Sequence, residues 1–508
     1  MTERTEILVK LALTAIALGA LVWRRHRGSE DGRAGWLLAC LAVVSMAAFT
    51  GFFAFHQGRF THFGENFHYQ LGSKYFPELG YDGLYDASIA AQEESDPGLP
   101  LPAIVRDLRT NSIVPVASLA AHRDEVRKRF TAERWRGFVR DHRYFLDRYT
   151  LPKVDEIRLD HGYNPPPTWT FVARLFNSRL PIDATTIPLM ALLDWVLVGV
   201  ALVVVRRTYG TAVTAVFAIL FGLGYPWGYT WVGGAFLRYD WFAAVVVGIC
   251  MLARKRHATA GALLAYATAV RIFPVLLLAG IAVGAIRDLL ARRDPRWIVR
   301  FAAGFAGCLG VCALAGCLTG RGPAAWGEFV RDIRKHHGTW TTNTAGLELV
   351  FLYNSETMVT NLPADWSLPR RWAVWQAAMN RVEAERRPFY LGLAGLLVAA
   401  ALAAAWRRPA DEAAVLGVAV IFALLVLSCY YWVVLTLLAL RRGTAGTLGL
   451  LGLNALVLVV AGGTSDTQVI YLVVSLGLAA LFAAVLAPDV VAILRPQRHA
   501  AGSKAAAC

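Results

Sequence analysis

The sequence has few charged residues for its length. Only 17% of its 508 residues are charged, whereas 56% are hydrophobic. A soluble chain of this size would form about three domains with charged surfaces, and this composition cannot supply them. Many apolar runs of about 20 residues are instead long enough to cross a bilayer. The scarcity of charge therefore excludes a soluble multidomain enzyme and a disordered chain, and indicates a multi-pass membrane protein.

Cysteine and the common catalytic motifs are also scarce. Six of the seven cysteines lie inside apolar runs and the seventh, Cys508, is the last residue, so the polar segments offer no disulfide. No CxxC pattern predicts a zinc site. The absence of a phosphate-binding loop, a GxSxG turn, an HExxH motif and a glycine-rich dinucleotide turn argues against an ATP-driven pump and a serine or zinc protease.

The net charge of +15 is concentrated beside the apolar runs. The long polar segment 56–185 is neutral, with 17 basic and 17 acidic residues. The excess lies in short clusters: Arg24-Arg25-His26-Arg27, Arg206-Arg207, Arg254-Lys255-Arg256, Arg292-Arg293, Arg407-Arg408 and Arg441-Arg442. Clusters of this kind mark the inner side of a membrane and are not the footprint of a nucleic-acid-binding protein.

Apolar length and charge together predict the topology. Nine runs predict single crossings: 6–23, 35–55, 186–205, 211–231, 235–253, 298–318, 389–406, 443–462 and 468–487. The runs 258–286 and 413–440 are each nearly 30 residues long, and every basic cluster falls on one side only if each run is a hairpin. Each hairpin half spans about 20 Å, too short to cross, so the tips near Arg271 and Ser428 should stop at membrane depth.

We therefore expect an all-α polytopic membrane protein with about 13 transmembrane or re-entrant helices and a mixed, mainly helical extracytoplasmic cap. It should reside in the inner (plasma) membrane, with both long polar segments facing the periplasm or exterior. The predicted regions are an extra N-terminal helix (1–34), a first core helix (35–55), a large outer loop (56–185), a bundle (186–318) containing the hairpin 258–286, a second outer loop (319–388), and C-terminal helices with a short tail (389–508).

Three charged residues are the main candidates for chemistry. Glu65 follows the second helix closely, where it could deprotonate an acceptor hydroxyl or be a solvated helix-end acid. Arg271 is embedded between apolar runs, where it could bind a lipid phosphate bidentately or cap helix-end carbonyls. Arg238, with Asp240, lies at another outer edge, where an interfacial anchor is the alternative.

Other polar residues predict the lining of a site. Asp82 and Asp86 stand near a Tyr-Asp-Gly turn, and His161 follows Asp160 as an acid/base candidate or a loop histidine. His337 and Asn343 belong to a group of aromatic, amide and hydroxyl residues that suits sugars. The adjacent His336 and His337 point in different directions, which disfavours a metal site made of these two alone. No carboxylates cluster, so dependence on a divalent metal stays open.

The order of several short motifs resembles the GT-C superfamily of integral-membrane glycosyltransferases, most of all bacterial mannosyltransferases that use polyprenyl-phosphate-mannose. The motifs are Glu65 with Tyr69, Leu84-Tyr85-Asp86, Tyr163-Asn164-Pro165-Pro166, Gly261 to Pro274, Asn343-Thr344, and Ser428 with Tyr431. The resemblance places Glu65 at the family's catalytic aspartate and Arg271 at its membrane lysine. It also implies that Tyr69, Tyr163, Asn343 and Tyr431 line the substrate site.

The resemblance implies a glycosyltransferase that moves a mannose-like or pentose sugar from polyprenyl phosphate to a lipid-linked or cell-envelope acceptor. Glu65 would be the base, and Arg271 and Arg238 would hold the donor phosphate, with no nucleic acid involved. A secondary transporter, with Arg271 and Asp194 as substrate or proton elements, is an alternative. A lipid-diphosphate-dependent polysaccharide ligase or polymerase is another, which Arg331 and Arg334 keep open.

Overall fold

The computed structural model describes residues 2–27 and 32–494. Within these residues the regular secondary structure is almost all helical, and the strands form two small two-stranded sheets. Eight of the described helical segments are long and apolar enough to cross a membrane. The prediction of an all-α multi-pass membrane protein is thereby confirmed. The predicted tail at 495–508 lies outside the described residues.

The chain begins with two apolar helices and continues into a polar region built from short elements. These are α1 (Glu3–Arg27), α2 (Gly32–Phe49), α3 (Phe63–Asn66), a π-helical turn (Phe67–Leu71), α4 (Gly72–Lys74), α5 (Phe76–Leu79), α6 (Leu84–Ser95), β1 (Ile104–Asp107), β2 (Ser112–Pro115), α7 (Ala120–Lys128), α8 (Ala132–Arg148), α9 (Leu151–Ile157) and α10 (Pro167–Asn177). The amphipathic helix α8 buries Trp135, Phe138 and Phe145, and the Phe145 ring packs 5.3 Å from Phe67. This aromatic core holds the turn after α3 in place.

The rest of the chain is mostly apolar helix with a second polar region in its middle. The elements are α11 (Thr186–Tyr209), α12 (Thr211–Leu223), α13 (Tyr229–Val232), α14 (Asp240–Ala253), α15 (His257–Val270), a 3₁₀ turn (Phe273–Leu277), α16 (Leu278–Leu290), α17 (Arg296–Gly316), α18 (Ala324–His337), β3 (Thr344–Ala345), α19 (Leu349–Leu352), α20 (Leu368–Trp406), α21 (Ala410–Leu424), β4 (Leu427–Ser428), a 3₁₀ helix (Cys429–Leu440), α22 (Ala445–Gly463) and α23 (Thr467–Leu494).

Two apolar runs are longer than the helices they contain. The sequence predicts crossings at 211–231 and 235–253, but α12 ends at Leu223 and α14 begins at Asp240. The intervening residues include the buried Trp227 and Phe236, so they are apolar because protein surrounds them. An apolar sequence indicates that a segment is buried, but it does not distinguish burial in lipid from burial in protein. The sequence therefore predicts the irregular segment that carries Arg238 to be part of two membrane helices.

The segment 257–290 folds back on itself. His257 at its start lies beside Trp297, with ring centroids 5.6 Å apart, and Asp288 at its end accepts a hydrogen bond from Trp297 Nε1 at 3.2 Å. The segment 410–440 does the same, because Glu412 at its start is 3.3 Å from Arg442 just past its end. Both segments therefore begin and end at one end of the bundle and turn near the other.

Glycine allows the helices around the first of these hairpins to approach closely. A side chain at Gly261 on α15 would lie 2.2 Å from the carbonyl oxygen of Phe301, and one at Gly304 on α17 would lie 2.0 Å from that of Ala258. The pair of glycines thus lets the two backbones meet face to face, as small residues do between membrane helices.

A short antiparallel sheet joins the second polar region to the tip of the second hairpin. Thr344 on β3 pairs with Ser428 on β4, and the Cys429 N–H donates to the carbonyl oxygen of Asn343 at 2.8 Å. The residues that follow α18 are therefore held directly beside the hairpin tip.

Candidate functional site

A cavity of about 1160 Å³ lies where the two polar regions meet the tip of the second hairpin. The first polar region contributes Glu65, Tyr69 and His161, and the second contributes residues 336–344 and Trp372. Ser428 and Tyr430 of the hairpin tip complete the wall. Its lining combines aromatic, imidazole, hydroxyl and amide groups with several acids, of which Glu65 lies beside the buried Arg238.

Glu65 lies on α3, a one-turn helix whose start is capped by His62. The His62 Nδ1 accepts the Glu65 N–H at 3.2 Å, and the Glu65 side chain is only 14% exposed. Its Oε2 lies 2.7 Å from Arg238 Nε, an ion pair in which neither atom is oriented for a hydrogen bond. Burial raises the pKa of Glu65 to about 7, although the charge of Arg238 acts in the opposite direction. The carboxyl group is therefore set to exchange a proton near neutral pH.

Arg238 lies between two aromatic rings at the side of this cavity. Its guanidinium carbon is 4.2 Å from the Tyr69 ring centroid and 5.1 Å from that of Tyr430. The side chain is 2% exposed, and none of its three nitrogens has a hydrogen-bond partner among the described residues. Asp194 fixes the backbone, because its two carboxylate oxygens accept the N–H groups of Arg238 and Tyr239, each at 3.0 Å.

Arg271 ends α15 with an extended backbone at the tip of the first hairpin. Its Nη1 donates to the carbonyl oxygen of Val270 at 2.7 Å, and its guanidinium lies 5.6 Å from the Trp169 ring centroid. Nε and Nη2 are buried without a hydrogen-bond partner within the described chain. Part of the guanidinium thus bonds to a helix-end carbonyl, as one of the two alternatives expects, and two donors remain for a ligand.

Several residues that the sequence predicts together do lie together. Tyr69, His161, His337 and Asn343 line the cavity with Glu65. The Tyr69 hydroxyl donates to Asn164 Oδ1 at 3.1 Å, which orients the ring beneath Arg238. The roles that the sequence analysis assigns to these residues stay predictions, since the geometry shows only their position.

The predicted pair of Asp160 and His161 is arranged differently. The Asp160 carboxylate accepts the backbone N–H of His161 at 2.8 Å, and its other oxygen lies 3.8 Å from His68 Nδ1. Burial, together with the charge of Arg106, lowers the pKa of His161 to about 3. His161 is therefore a neutral lining residue, and the imidazole facing Asp160 is that of His68.

Seven predicted residues do not line this cavity: the buried Arg238 and Arg271, and five others that are held elsewhere. Asp86 lies 2.9 Å from one nitrogen of His122 and is held in the core of the polar region, whereas Asp82 lies 4.0 Å from the other nitrogen and stays partly exposed. The buried Tyr163 bonds to Thr170 at 2.7 Å, and Asp240 accepts from the Tyr266 hydroxyl at 3.0 Å. Tyr431 packs its ring on Trp241 and Phe273. The motifs do not indicate these pairings with His122, Thr170, Tyr266 and the two aromatic rings.

Some residues at the site have little or no sequence signal. Asp194 is a lone acid in an apolar run, which marks it as functional in general but does not reveal that it holds Arg238. His62 and Trp169 carry no signal that separates them from other loop and core residues. Glu348 also lines the cavity, and burial together with Glu383 raises its pKa to about 7.

Among the residues that the structure describes, no three His, Cys, Asp or Glu side chains are grouped as metal ligands. Comparison of the chain with protein-family models, curated proteins and solved structures finds no match. The function is therefore argued from the geometry of this site.

Proposed function

We propose that this protein is a membrane glycosyltransferase that moves a sugar from a polyprenyl-phosphate donor to a glycolipid or glycan acceptor. One observation carries the proposal: Glu65 is paired with the buried Arg238 and is within electrostatic range of the buried Arg271, and five guanidinium nitrogens of these two arginines have no hydrogen-bond partner in the described chain. Buried donors without acceptors are costly and uncommon. Phosphate oxygens are the acceptors that match arginine best, so a donor phosphate is the ligand that suits these groups.

The carboxyl group of Glu65, next to this anion site, would act as the general base of the reaction. An acceptor hydroxyl attacks the anomeric carbon of the donor sugar while its proton passes to Glu65. The bond between the anomeric carbon and the phosphate oxygen breaks, and polyprenyl phosphate leaves as an anion stabilised by Arg238 and Arg271. A phosphate leaving group held by arginine needs no general acid, so one carboxylate suffices.

The rest of the cavity suits a carbohydrate acceptor. Trp340 and Trp372 offer flat apolar faces, and Thr341, Thr342 and Asn343 offer hydroxyl and amide groups. A volume of about 1160 Å³ accommodates several sugar rings. The resemblance of the sequence to the GT-C superfamily agrees with this assignment. The transferred sugar would be mannose-like or a pentose.

The same proposal includes the finer topology. The eight long helices, together with the shorter apolar helices and the two folded-back segments, would give about 13 passes in the inner membrane. The polar regions form the extracytoplasmic cap, and the basic clusters mark the cytoplasmic end. Single cysteines introduced by Gly98→Cys and Asp365→Cys should react with an impermeant maleimide in intact cells, whereas Arg296→Cys should react only after the membrane is opened.

The deciding experiment uses purified full-length protein in nanodiscs with radiolabelled polyprenyl-phosphate sugars and short glycolipid acceptors. We expect transfer from the monophosphate donor and none from a nucleotide sugar, with Glu65→Gln binding donor but not transferring. Transfer only from a lipid diphosphate would favour the ligase. Sugar or anion flux into proteoliposomes without transfer would favour the transporter and overturn the proposal.

A further inference from the structure

A second cavity, of about 1000 Å³, lies at the end of the bundle where both folded-back segments begin and finish. Its wall includes the apolar side chains of Leu21, Val213, Val216, Leu252 and Leu440. Its rim contains six cations: Arg24, Arg25, Lys255, Arg287, Arg441 and Arg442. The cavity therefore has an apolar wall and a basic mouth. It lies at the opposite end of the bundle from Glu65.

Three of the rim cations are paired with acids. Arg287 lies 2.9 Å from Asp288, Arg442 lies 3.3 Å from Glu412, and Arg441 lies 3.7 Å from Asp489. Asp411, which also lines the cavity, accepts a hydrogen bond from the Tyr209 hydroxyl at 3.1 Å.

The other three rim cations, Arg24, Arg25 and Lys255, have no ion-pair partner among the described residues. The side chain of Arg441 is only 10% exposed, yet its Nε has no hydrogen-bond partner there either. Counted over the described residues, the mouth thus holds more cations than acids, and the Nε of the nearly buried Arg441 has no hydrogen-bond partner. Both observations indicate an anionic ligand.

We propose that this cavity binds an anionic phospholipid of the leaflet at this end. The phosphate contacts Arg24, Arg25, Lys255 and the free Nε of Arg441, and an acyl chain lies against the apolar wall. Guanidinium and ammonium groups form charge-assisted bonds to phosphate, and basic pockets between membrane helices recognise lipid headgroups in this way. A soluble phosphorylated anion would use the mouth but leave the apolar wall without a partner. The proposal does not depend on the reaction at Glu65.

The test compares lipid binding by two matched triple variants of the full chain. Arg24→Gln/Arg25→Gln/Lys255→Gln removes the unpaired rim cations. Arg206→Gln/Arg207→Gln/Arg254→Gln removes three exposed cations near the same end that do not line the cavity. Native mass spectrometry in detergent with added phosphatidylglycerol or phosphatidylcholine of equal chain length counts the bound lipids. We expect wild type and control to retain phosphatidylglycerol preferentially, and the rim variant to bind it about tenfold or more weakly.

Equal weakening in both triple variants would reduce the effect to general attraction between a basic surface and anionic lipid, and would overturn the site. Equal binding by all three proteins would do the same. Glycerol 3-phosphate that displaces phosphatidylglycerol at matched concentration would assign the mouth to a soluble anion and overturn the lipid assignment. If the rim variant melts at a lower temperature than wild type, Lys255→Glu alone, which reverses one exposed charge, should still weaken phosphatidylglycerol binding.

Discussion

Two arginines buried in this molecule have opposite surroundings. In the core of the polar region, the Arg158 side chain is fully buried and each of its nitrogens is bonded, to Ser88 at 2.9 and 3.1 Å, to Gln92 at 2.8 Å and to Asp155 at 3.0 Å. Near the cavity, Arg238 is nearly as buried, but its Nε is paired with Glu65 at 2.7 Å without a hydrogen bond, and Nη1 and Nη2 have no hydrogen-bond partner in the described chain.

The difference shows that burial of a charge does not by itself identify a functional group. A buried cation whose donors are all satisfied stabilises the fold around it, whereas one whose donors are free imposes a cost that a ligand can remove. Arg271 belongs with Arg238 in this respect, because two of its nitrogens are also free. Hydrogen-bond satisfaction therefore separates Arg158 from the two arginines that we propose bind the donor phosphate.

The largest expected effect concerns the acids beside the two arginines. Glu65→Gln keeps the shape of the side chain but cannot take a proton, so sugar transfer should fall about 10²- to 10⁴-fold while donor binding persists. Asp155→Asn changes the acid beside Arg158 in the same way and should leave kcat within about twofold. Rates of transfer with one donor measure both. Near-normal turnover by Glu65→Gln would remove its role as base.

Replacing Arg158 should mainly reduce the stability of the fold, whereas replacing Arg271 should mainly reduce donor binding. Arg158→Met leaves Ser88, Gln92 and Asp155 without their partner and should lower the free energy of unfolding by about 3–5 kcal/mol. Arg271→Met removes unsatisfied donors, so its stability should be equal to wild type or higher, whereas donor affinity should fall strongly. Arg271→Lys should retain part of that affinity, because the charge survives and the planar fork does not.

Denaturant titration and donor-binding measurements on these variants separate the two roles. Loss of stability by Arg271→Met with unchanged donor affinity would place Arg271 in the same structural class as Arg158.

The pH dependence of stability and of activity tests the role of Glu65. Its folded-state pKa of about 7 lies above the ordinary 4.5, so its contribution to stability is complete below pH about 4.5 and is lost as the pH rises through about 7. Transfer needs the carboxylate, so kcat/KM should rise over the same range with a midpoint near 7. Burial lowers the pKa values of His62 and His161 to about 3, so both stay neutral across this range.

Two measurements test this expectation: the pH profile of kcat/KM for wild type, and the difference in unfolding free energy between wild type and Glu65→Gln from pH 4.5 to 8. A stability difference that stays constant over this range would contradict the assignment of the group with the raised pKa.

A smaller effect is expected at Asp194, which positions Arg238 through the backbone. Asp194→Asn leaves one oxygen for the two N–H groups of Arg238 and Tyr239, so donor affinity should fall about tenfold. Asp183→Asn is the matched control, because Asp183 accepts the Thr185 and Thr186 N–H groups at the start of the same helix, away from the cavity. A loss of affinity in the control as large as that in Asp194→Asn would mean that α11 as a whole is responsible.

Much of the fold could be predicted from local properties of the chain. The low charge and the long apolar runs indicate a helical membrane protein, and the basic clusters together with two runs too long for one helix and too short for two full crossings indicate folded-back segments. The same local logic marks Arg271 and Asp194, because a charge within an apolar run is costly wherever it lies. Glu65 is predicted to be the base because of its position after α2 and because of the motif resemblance.

Only the tertiary structure decided which of these charges share a site and which are satisfied. Glu65 and Arg238 are far apart in sequence, and the segment that carries Arg238 looked like part of two membrane crossings. Asp82 and Asp86 stand at a predicted turn and are also expected from the sequence to line the site, yet both lie beside His122. Composition and periodicity report how much of a segment is buried, and they contain nothing about the partner of a buried donor. Long-range packing decides that partner, which is why the arrangement of the candidate site required the tertiary structure.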